Sequence, residues 1–431
     1  MLLLYNAFIY TGDVGHSCIP NGWMLIDGAR IVRMGPASNA PQMIAQSRVD
    51  LGGRVVMPGM INTHAHGGLS LQRGCCDDGD LFQWAGKLAP YTSNLSIEDN
   101  RWGCYLAIME MVRNGITNAC DCTRYGAGIF SQVAAEIGMR SLGGALANSP
   151  VLRPNGRPNW PRALEETQDA IAASGDNPLC RFYLGAHSPY SCEPELMQEV
   201  KQKARELGLP FAIHLAENRA EVALTKERYG KRPVELLHHL GILDSQTILA
   251  HCVWVDPDEM DMLAESGAGV AHNPVSNGKL ASGIAPVPEF RKRGVPVGLG
   301  TDSTLSNNSL NLFQEMKFAV LMQRNHHLDG YAMNARGALS MATREGARVL
   351  GWEAETGSLE VGKQADLVVL DIDHPLGLTP ERVMSDLVYA AGPQHIQSVM
   401  VAGETIFENG RFTRIDEAAI RRQVRRIYCE G

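Results

Sequence analysis

A chain of 431 residues is too long for one small domain and fits a large barrel with a satellite, and a content of 45% apolar and 20% charged residues is that of a soluble globular protein with a sizeable core. A formal net charge of −8 argues against a nucleic-acid or anionic-membrane partner, since both demand clustered Lys and Arg. No apolar run reaches membrane-spanning length, and the ten cysteines show neither zinc-ribbon nor redox spacing, so reduced thiols and a cytoplasmic location are expected.

Met1-Leu2-Leu3-Leu4 is apolar, but no cationic region precedes it and polar Asn6 and Asp13 follow, so residues 2–10 read as a first strand and not as a targeting segment. Residues 22–28 and 30–35 read as further short strands. Eight apolar strand candidates come next, at 55–63, 116–120, 141–147, 181–186, 210–215, 247–250, 268–271 and 295–300. Between them lie amphipathic stretches at 97–114, 193–207, 256–266 and 288–292, with helices at 310–324 and 334–350 after the last strand. Strand-like runs return at 365–370 and 396–401, and the basic run Arg421, Arg422, Arg425 and Arg426 reads as a solvated helix face. Eight strands with crossovers predict an α/β fold, a (β/α)8 TIM barrel over residues 57–357. The strand-rich ends, 1–56 and 358–431, predict one small β domain built from both termini.

The polar residues respect this scheme. The first candidate strand runs into His64-Ala65-His66, the fourth into His187, the fifth into His214 and Glu217, the sixth into His251, the seventh into His272 and the eighth into Asp302. In a parallel barrel these C-terminal strand ends share one face, and that face carries the chemistry. The other seven of the thirteen histidines fall elsewhere and read as surface or structural. Alternation along a strand points His64 and His66 to the same side. Joined by His214 and Asp302, they offer three nitrogens and a carboxylate to one divalent metal and leave room for water.

These residues stand in longer motifs. Pro58-Gly59-Met60-Ile61-Asn62-Thr63-His64-Ala65-His66, His214-Leu215-Ala216-Glu217, His251-Cys252 and Gly300-Thr301-Asp302 resemble the amidohydrolase superfamily, on its branch of methylthioadenosine/S-adenosylhomocysteine deaminases and triazine hydrolases. Gly185-Ala186-His187-Ser188-Pro189-Tyr190, Ala271-His272-Asn273-Pro274-Val275-Ser276-Asn277 and Gly357-Ser358-Leu359-Glu360-Val361-Gly362 extend the resemblance over nearly the whole chain. It implies a distorted barrel with a β-sandwich from both termini, one divalent metal per chain (zinc, with iron(II) as the alternative) and a homo-oligomer. Two-metal members of the family use a carboxylated lysine near the end of strand four. Gly185-Ala186-His187 holds none, which implies the one-metal branch and leaves His251 to orient water.

Deaminating a cyclic amidine requires a nucleophile at neutral pH, a proton on the ring and an exit for ammonia. A bound metal lowers the pKa of water to about 7. Asp302 is expected to take the water's proton, His251 to hold the nucleophile, and Glu217 to protonate first the ring nitrogen and then the departing amine. The resemblance also implies substrate contacts. His187 matches a substrate-contacting histidine. Gln83-Trp84 stands where methylthioadenosine deaminases carry a ribose-gripping Glu before a Trp. Ser303 opens Ser303-Thr304-Leu305 in place of the family's Gly-Ala-Ala, and Arg140 either matches a substrate-binding arginine or sits at the surface. The loss of charge at Gln83 favours a compact amino-heterocycle of purine, pterin or triazine type. Three alternatives stay open: a methylthioadenosine/S-adenosylhomocysteine deaminase, a triazine chlorohydrolase, whose leaving group needs no proton, and a non-enzymatic barrel relative, which would have no reason to keep four ligands.

Overall fold

Two sheets organise the computed structural model, which describes residues 1–40, 46–92, 95–123, 126–152 and 159–428. The first holds eight parallel strands in sequence order: Met60–Ala65, Ile116–Thr123, Arg140–Ala147, Cys180–Ala186, Phe211–Leu215, Thr247–His251, Gly269–His272 and Val297–Leu299. Strands covered on both faces read as continuous apolar runs, which is why they stood out in the sequence. The first and last strands meet through side chains and backbone. Asn62 Nδ2 donates to Thr301 Oγ1 (2.8 Å), Thr301 N donates to Asn62 Oδ1 (3.0 Å), and Asp302 N donates to His64 O (2.9 Å). The sheet thereby curls into the expected (β/α)8 barrel.

Helices cover the outside, and several begin where local chemistry dictates. Ser96 and Asp99 form a reciprocal cap on Ile97–Arg113, and Asp256 with Glu259 does the same for Pro257–Ser266. The helix expected at 334–350 is two, Ala335–Ala342 and Arg344–Val349, because Thr343 leaves helical geometry with φ −130 and ψ −99. Inside the barrel, Cys120, Leu142, Leu146, Tyr183, Ala212 and Ile248 form one apolar cluster with Ala347, Val349, Leu350 and Trp352. The 347–352 segment lies at the N-terminal strand ends, where Gly351 O accepts from Arg181 and Val349 packs on Gly269. That mouth is plugged, and the opposite mouth holds the histidines.

The second sheet has nine strands drawn from both ends of the chain, among them Leu2–Tyr10, Cys18–Asp27, Arg30–Pro36, Leu367–Leu370 and Ile396–Val401. It has its own core of Leu4, Ile9, Met24, Ile26, Val56, Leu367 and Met400. The strand expected at 55–63 is divided between the two sheets. Val55–Pro58 pairs with Leu367–Leu370, and Met60–Ala65 opens the barrel. Gly59 makes the crossing: a Cβ there would lie 2.2 Å from the Thr117 side chain. No helix among the described residues is long and apolar enough to cross a membrane.

Candidate active site

The strand ends bring His64, His66, His214, His251 and Asp302 together. Ring centroids lie 4.9 Å apart for His64–His66 and for His64–His214, 5.5 Å for His64–His251 and 5.4 Å for His66–His214. Asp302 Oδ1 lies 3.4 Å from His66 Nε2 and 3.6 Å from His64 Nε2. The backbone bends sharply to achieve this. Ala216 (φ 51), His251 (φ 77), Cys252 (φ 46) and Asp302 (φ 57) all adopt left-handed geometry without being glycine. Such strain, on the order of 1–3 kcal/mol each, persists where surrounding structure enforces it and clusters at functional sites.

Each imidazole is aimed by what its Nδ1 meets. His66 Nδ1 donates to Cys122 O (2.6 Å) and His214 Nδ1 to His187 O (2.8 Å). His251 Nδ1 donates to Asn277 Oδ1 (2.9 Å), and His64 Nδ1 faces Cys122 Sγ at 3.3 Å. A carbonyl oxygen only accepts, so His66 and His214 each carry a proton on Nδ1, and in the neutral ring each Nε2 then carries a lone pair. These two Nε2 atoms are 3.4 Å apart. Lone pairs that close repel unless a cation lies between them. His64 Nε2 is buried and has no hydrogen-bond partner among the described residues. Burial, reinforced by His64, His66 and His251, holds His214 well below its ordinary value, in the neutral form that a metal requires. His64, His66 and His214 bring ligand atoms within 4.8 Å of one another, as do His64, His251 and Asp302. The donor set fits one divalent ion.

Three groups pin the Asp302 carboxylate. Ser303 N donates to Oδ1 (2.7 Å), while Ser276 Oγ (2.5 Å) and Ser306 Oγ (2.9 Å) donate to Oδ2. Glu217 Oε2 lies 3.7 Å from His251 Nε2. Burial, followed by the Asp302 charge, pushes the Glu217 carboxyl up to about 8, and burial holds His251 down to about 4. At neutral pH the site therefore contains a protonated acid beside a neutral imidazole. Glu221 shapes the turn that carries Glu217, its carboxylate accepting from Ala216 N (3.0 Å) and Glu217 N (2.7 Å). His272, on the same face, is buried and does not join the ligand set.

The residues expected to touch substrate are scattered. The His187 ring hydrogen-bonds Ser191 Oγ (2.8 Å) and lies 5.0 Å from the His214 ring, beside the metal pocket. Trp84 is half-buried with Leu69, Cys76, Leu88 and Leu305, its indole N–H on Cys76 O (3.2 Å). Gln83 is exposed on the helix Leu81–Thr92, and its amide oxygen accepts from Asp80 N (3.4 Å). Ser303 Oγ accepts from Leu305 N and Ser306 N and so shapes the turn after Asp302. Arg140 has to be corrected. It begins the third barrel strand, at the plugged mouth, with its guanidinium buried in a bidentate pair with Asp366 (2.5 and 3.1 Å). It ties the barrel to the terminal sheet and is neither a substrate contact nor a surface residue.

The sequence alone assigns no role to Ser276, Ser306, Asn277, Glu221 or Cys122, although Ser276 and Asn277 stand inside a motif that carries the resemblance. Asn218 caps the helix Arg219–Tyr229 and Glu221 stands at its third position, so the capping-box spacing was a usable signal for Glu221. The others act from separate elements, Cys122 from a strand, Ser276 and Asn277 from the helix Pro274–Lys279 and Ser306 from a turn, and sequence spacing does not report such contacts.

Comparison with known proteins gives a consistent picture. The profile of the amidohydrolase family matches residues 55–406. A 5-methylthioadenosine/S-adenosylhomocysteine deaminase of Syntrophobacter fumaroxidans is 37% identical over 433 residues, covering 99% of this chain and 97% of that one. A 5'-deoxyadenosine deaminase of Methanopyrus kandleri is 38% identical over 378 residues, covering 87% and 86%. Among solved structures, a zinc-bound adenosine deaminase from Xanthomonas campestris superimposes with a TM-score of 0.92 at 29% identity, covering 99% of this chain and 97% of that one. A zinc-complexed atrazine chlorohydrolase from Arthrobacter aurescens has a TM-score of 0.91, covers 99% and 100%, and at 22% identity speaks for the fold alone.

Proposed function

This chain belongs to the amidohydrolase family, and from that premise we propose that it is a metal-dependent aminohydrolase: water replaces the amino group of a small amino-heterocycle of purine, pterin or triazine type, and ammonia leaves. His64, His66, His214 and Asp302 would hold one divalent ion, zinc by the donor set and by the zinc-bound adenosine deaminase structure. An ion held there supplies water activated at neutral pH, its pKa lowered to about 7.

The chain's own residues move the protons. Asp302, fixed by Ser276, Ser303 and Ser306, is set to accept the proton of the attacking water. Neutral His251, its Nδ1 proton on Asn277, turns an accepting Nε2 inward and orients that water. Protonated Glu217 gives its proton to the ring nitrogen, takes over the proton that Asp302 received and passes it to the departing amine, and is reprotonated by the hydroxyl of the tetrahedral carbon as the carbonyl forms. His187 borders the space left for the ring. Action on a free small molecule in the cytoplasm, by a homo-oligomer, is part of the same proposal.

One observation carries this reading: Glu217, a buried carboxyl with no role as a ligand, stands 3.7 Å from the imidazole that faces the metal ligands. Amine departure needs that acid, whereas chloride departure does not. The curated relatives favour a second reading, in which the heterocycle bears a 5'-modified ribose. The test is product release from the zinc-loaded protein across free amino-purines, pterins, amino-triazines, chloro-triazines, methylthioadenosine and S-adenosylhomocysteine. Ammonia from a free heterocycle is expected. Chloride without ammonia, or no turnover of any member, overturns the proposal, and a clear preference for the nucleosides establishes the second reading.

A further inference from the structure

Cys122 stands at the metal pocket with no role in the chemistry above. It lies on the second barrel strand, Ile116–Thr123, and alternation points it inward with Cys120. Both thiols belong to the apolar cluster inside the barrel, and both line a small cavity beneath His64 and His214. Leu146, Ala212, Ile213, Ile248 and Ala250 supply carbon to the rest of that wall, and Thr63 adds a hydroxyl.

Two contacts set Cys122 apart. Its carbonyl accepts from His66 Nδ1 at 2.6 Å, and its sulfur lies 3.3 Å from His64 Nδ1. One residue thus meets both imidazoles of the His64-x-His66 pair, one through the backbone and one through the side chain. The Nδ1 atoms of His66, His214 and His251 meet oxygen, whereas that of His64 meets sulfur. His64 is also the ligand whose Nε2 has no hydrogen-bond partner among the described residues. Beside strand sterics and the Asp302 carboxylate 3.6 Å from Nε2, the polar contact on the far side of the ring is this thiol.

We propose that Cys122 is a positioning residue for the metal, its thiol holding the His64 ring so that Nε2 faces the ion. The inference rests on the metal site proposed above. Outer-sphere partners of ligand histidines typically contribute about 10–100-fold to metal affinity.

The experiment is zinc affinity by chelator competition on the full chain, with the visible spectrum of the cobalt(II)-loaded protein as a second readout. Cys122→Ala and Cys122→Ser differ by one hydroxyl and have nearly the same volume. Cys122→Ala is expected to weaken zinc binding about 10–100-fold and to shift the cobalt bands. Cys122→Ser, which restores an acceptor, is expected to recover most of the loss. Ile248→Val thins the same wall without removing a polar atom and controls for packing. Its zinc affinity and cobalt spectrum should match the parent. Parent-like zinc affinity in folded Cys122→Ala overturns the proposal, and so does an equal loss in Cys122→Ser or in Ile248→Val. If Cys122→Ala does not fold, Cys122→Val, which fills the space without an acceptor, is read against Cys122→Ser by the same criteria. These outcomes concern binding alone. A parent that binds no divalent metal sinks the functional reading as well, whereas a parent that binds metal but turns over no amino-heterocycle leaves this inference standing.

Discussion

Glu217 is kept protonated by its surroundings, with burial the larger influence and the Asp302 charge the smaller. That gives a pH signature with a definite sign. The acid form is the working form, so kcat/KM should fall as pH rises through about 8, and Glu217→Gln should lack that limb. Glu217→Gln should keep metal and fold and lose about 10²–10⁴ in turnover, since it removes a proton donor and no ligand. Near-parental activity in the metal-replete variant contradicts the role. Gln83 invites the opposite kind of change. A charged acceptor on a hydroxyl contact is worth roughly 1.5–3 kcal/mol, about ten- to a hundredfold. Gln83→Glu should therefore improve methylthioadenosine and S-adenosylhomocysteine selectively in kcat/KM. S-adenosylhomocysteine as the best substrate of the parent protein would overturn this reading of Gln83. At this scale the sequence was legible where a residue type is rare at a strand end. His64, His66, His214, His251 and Asp302 announced themselves because the barrel collects strand ends on one face. Ser276 and Ser306 did not, since a hydroxyl reaching Asp302 from a helix or a turn leaves no periodic trace. Arg140 misled because a buried ion pair with Asp366 depends on a partner 226 residues away.

Elements carry the site as units. The helix Arg219–Tyr229 begins immediately after Glu217, and Glu221 in its first turn satisfies two buried backbone N–H groups of the strand-to-helix turn. Glu221→Ala leaves both donors without an acceptor, at about 1–3 kcal/mol each. The expected result is a clear loss of stability in urea unfolding and a fall in turnover, with zinc content preserved because His214 lies on the strand and outside that turn. Unchanged stability would show that the turn holds itself. The strands themselves were readable as apolar runs between turn signals. What could not be read was the handover at Pro58 and Gly59, where one apolar run serves two sheets. Composition does not change there. Only the close approach to Thr117 and the pairing with Leu367–Leu370 divide it.

For the whole molecule, the facing Nε2 atoms of His66 and His214 place a condition on stability. Zinc bound to the native state alone, at a free concentration about 100 times its dissociation constant, adds about 2.7 kcal/mol. Chelation should thus lower the melting temperature and abolish turnover, and added zinc should restore both. Elemental analysis should find about one equivalent per chain, because strand four supplies no bridging lysine. Two equivalents at full occupancy contradict the single-ion assignment.

The seam between the first and last barrel strands has a consequence for biosynthesis. His64 lends its carbonyl to Asp302 N–H, so two of the proposed ligands are joined by the bond that brings the barrel's edges together. A ribosome delivers His64 and His66 early, His214 midway and Asp302 only after most of the barrel has emerged. Until the eighth strand docks, the nascent chain carries histidines but no cage, and the terminal sheet still lacks Leu367–Leu370 beside Val55–Pro58. The full donor set of His64, His66, His214 and Asp302 therefore stands together only once the eighth strand has docked, late in the passage of the chain.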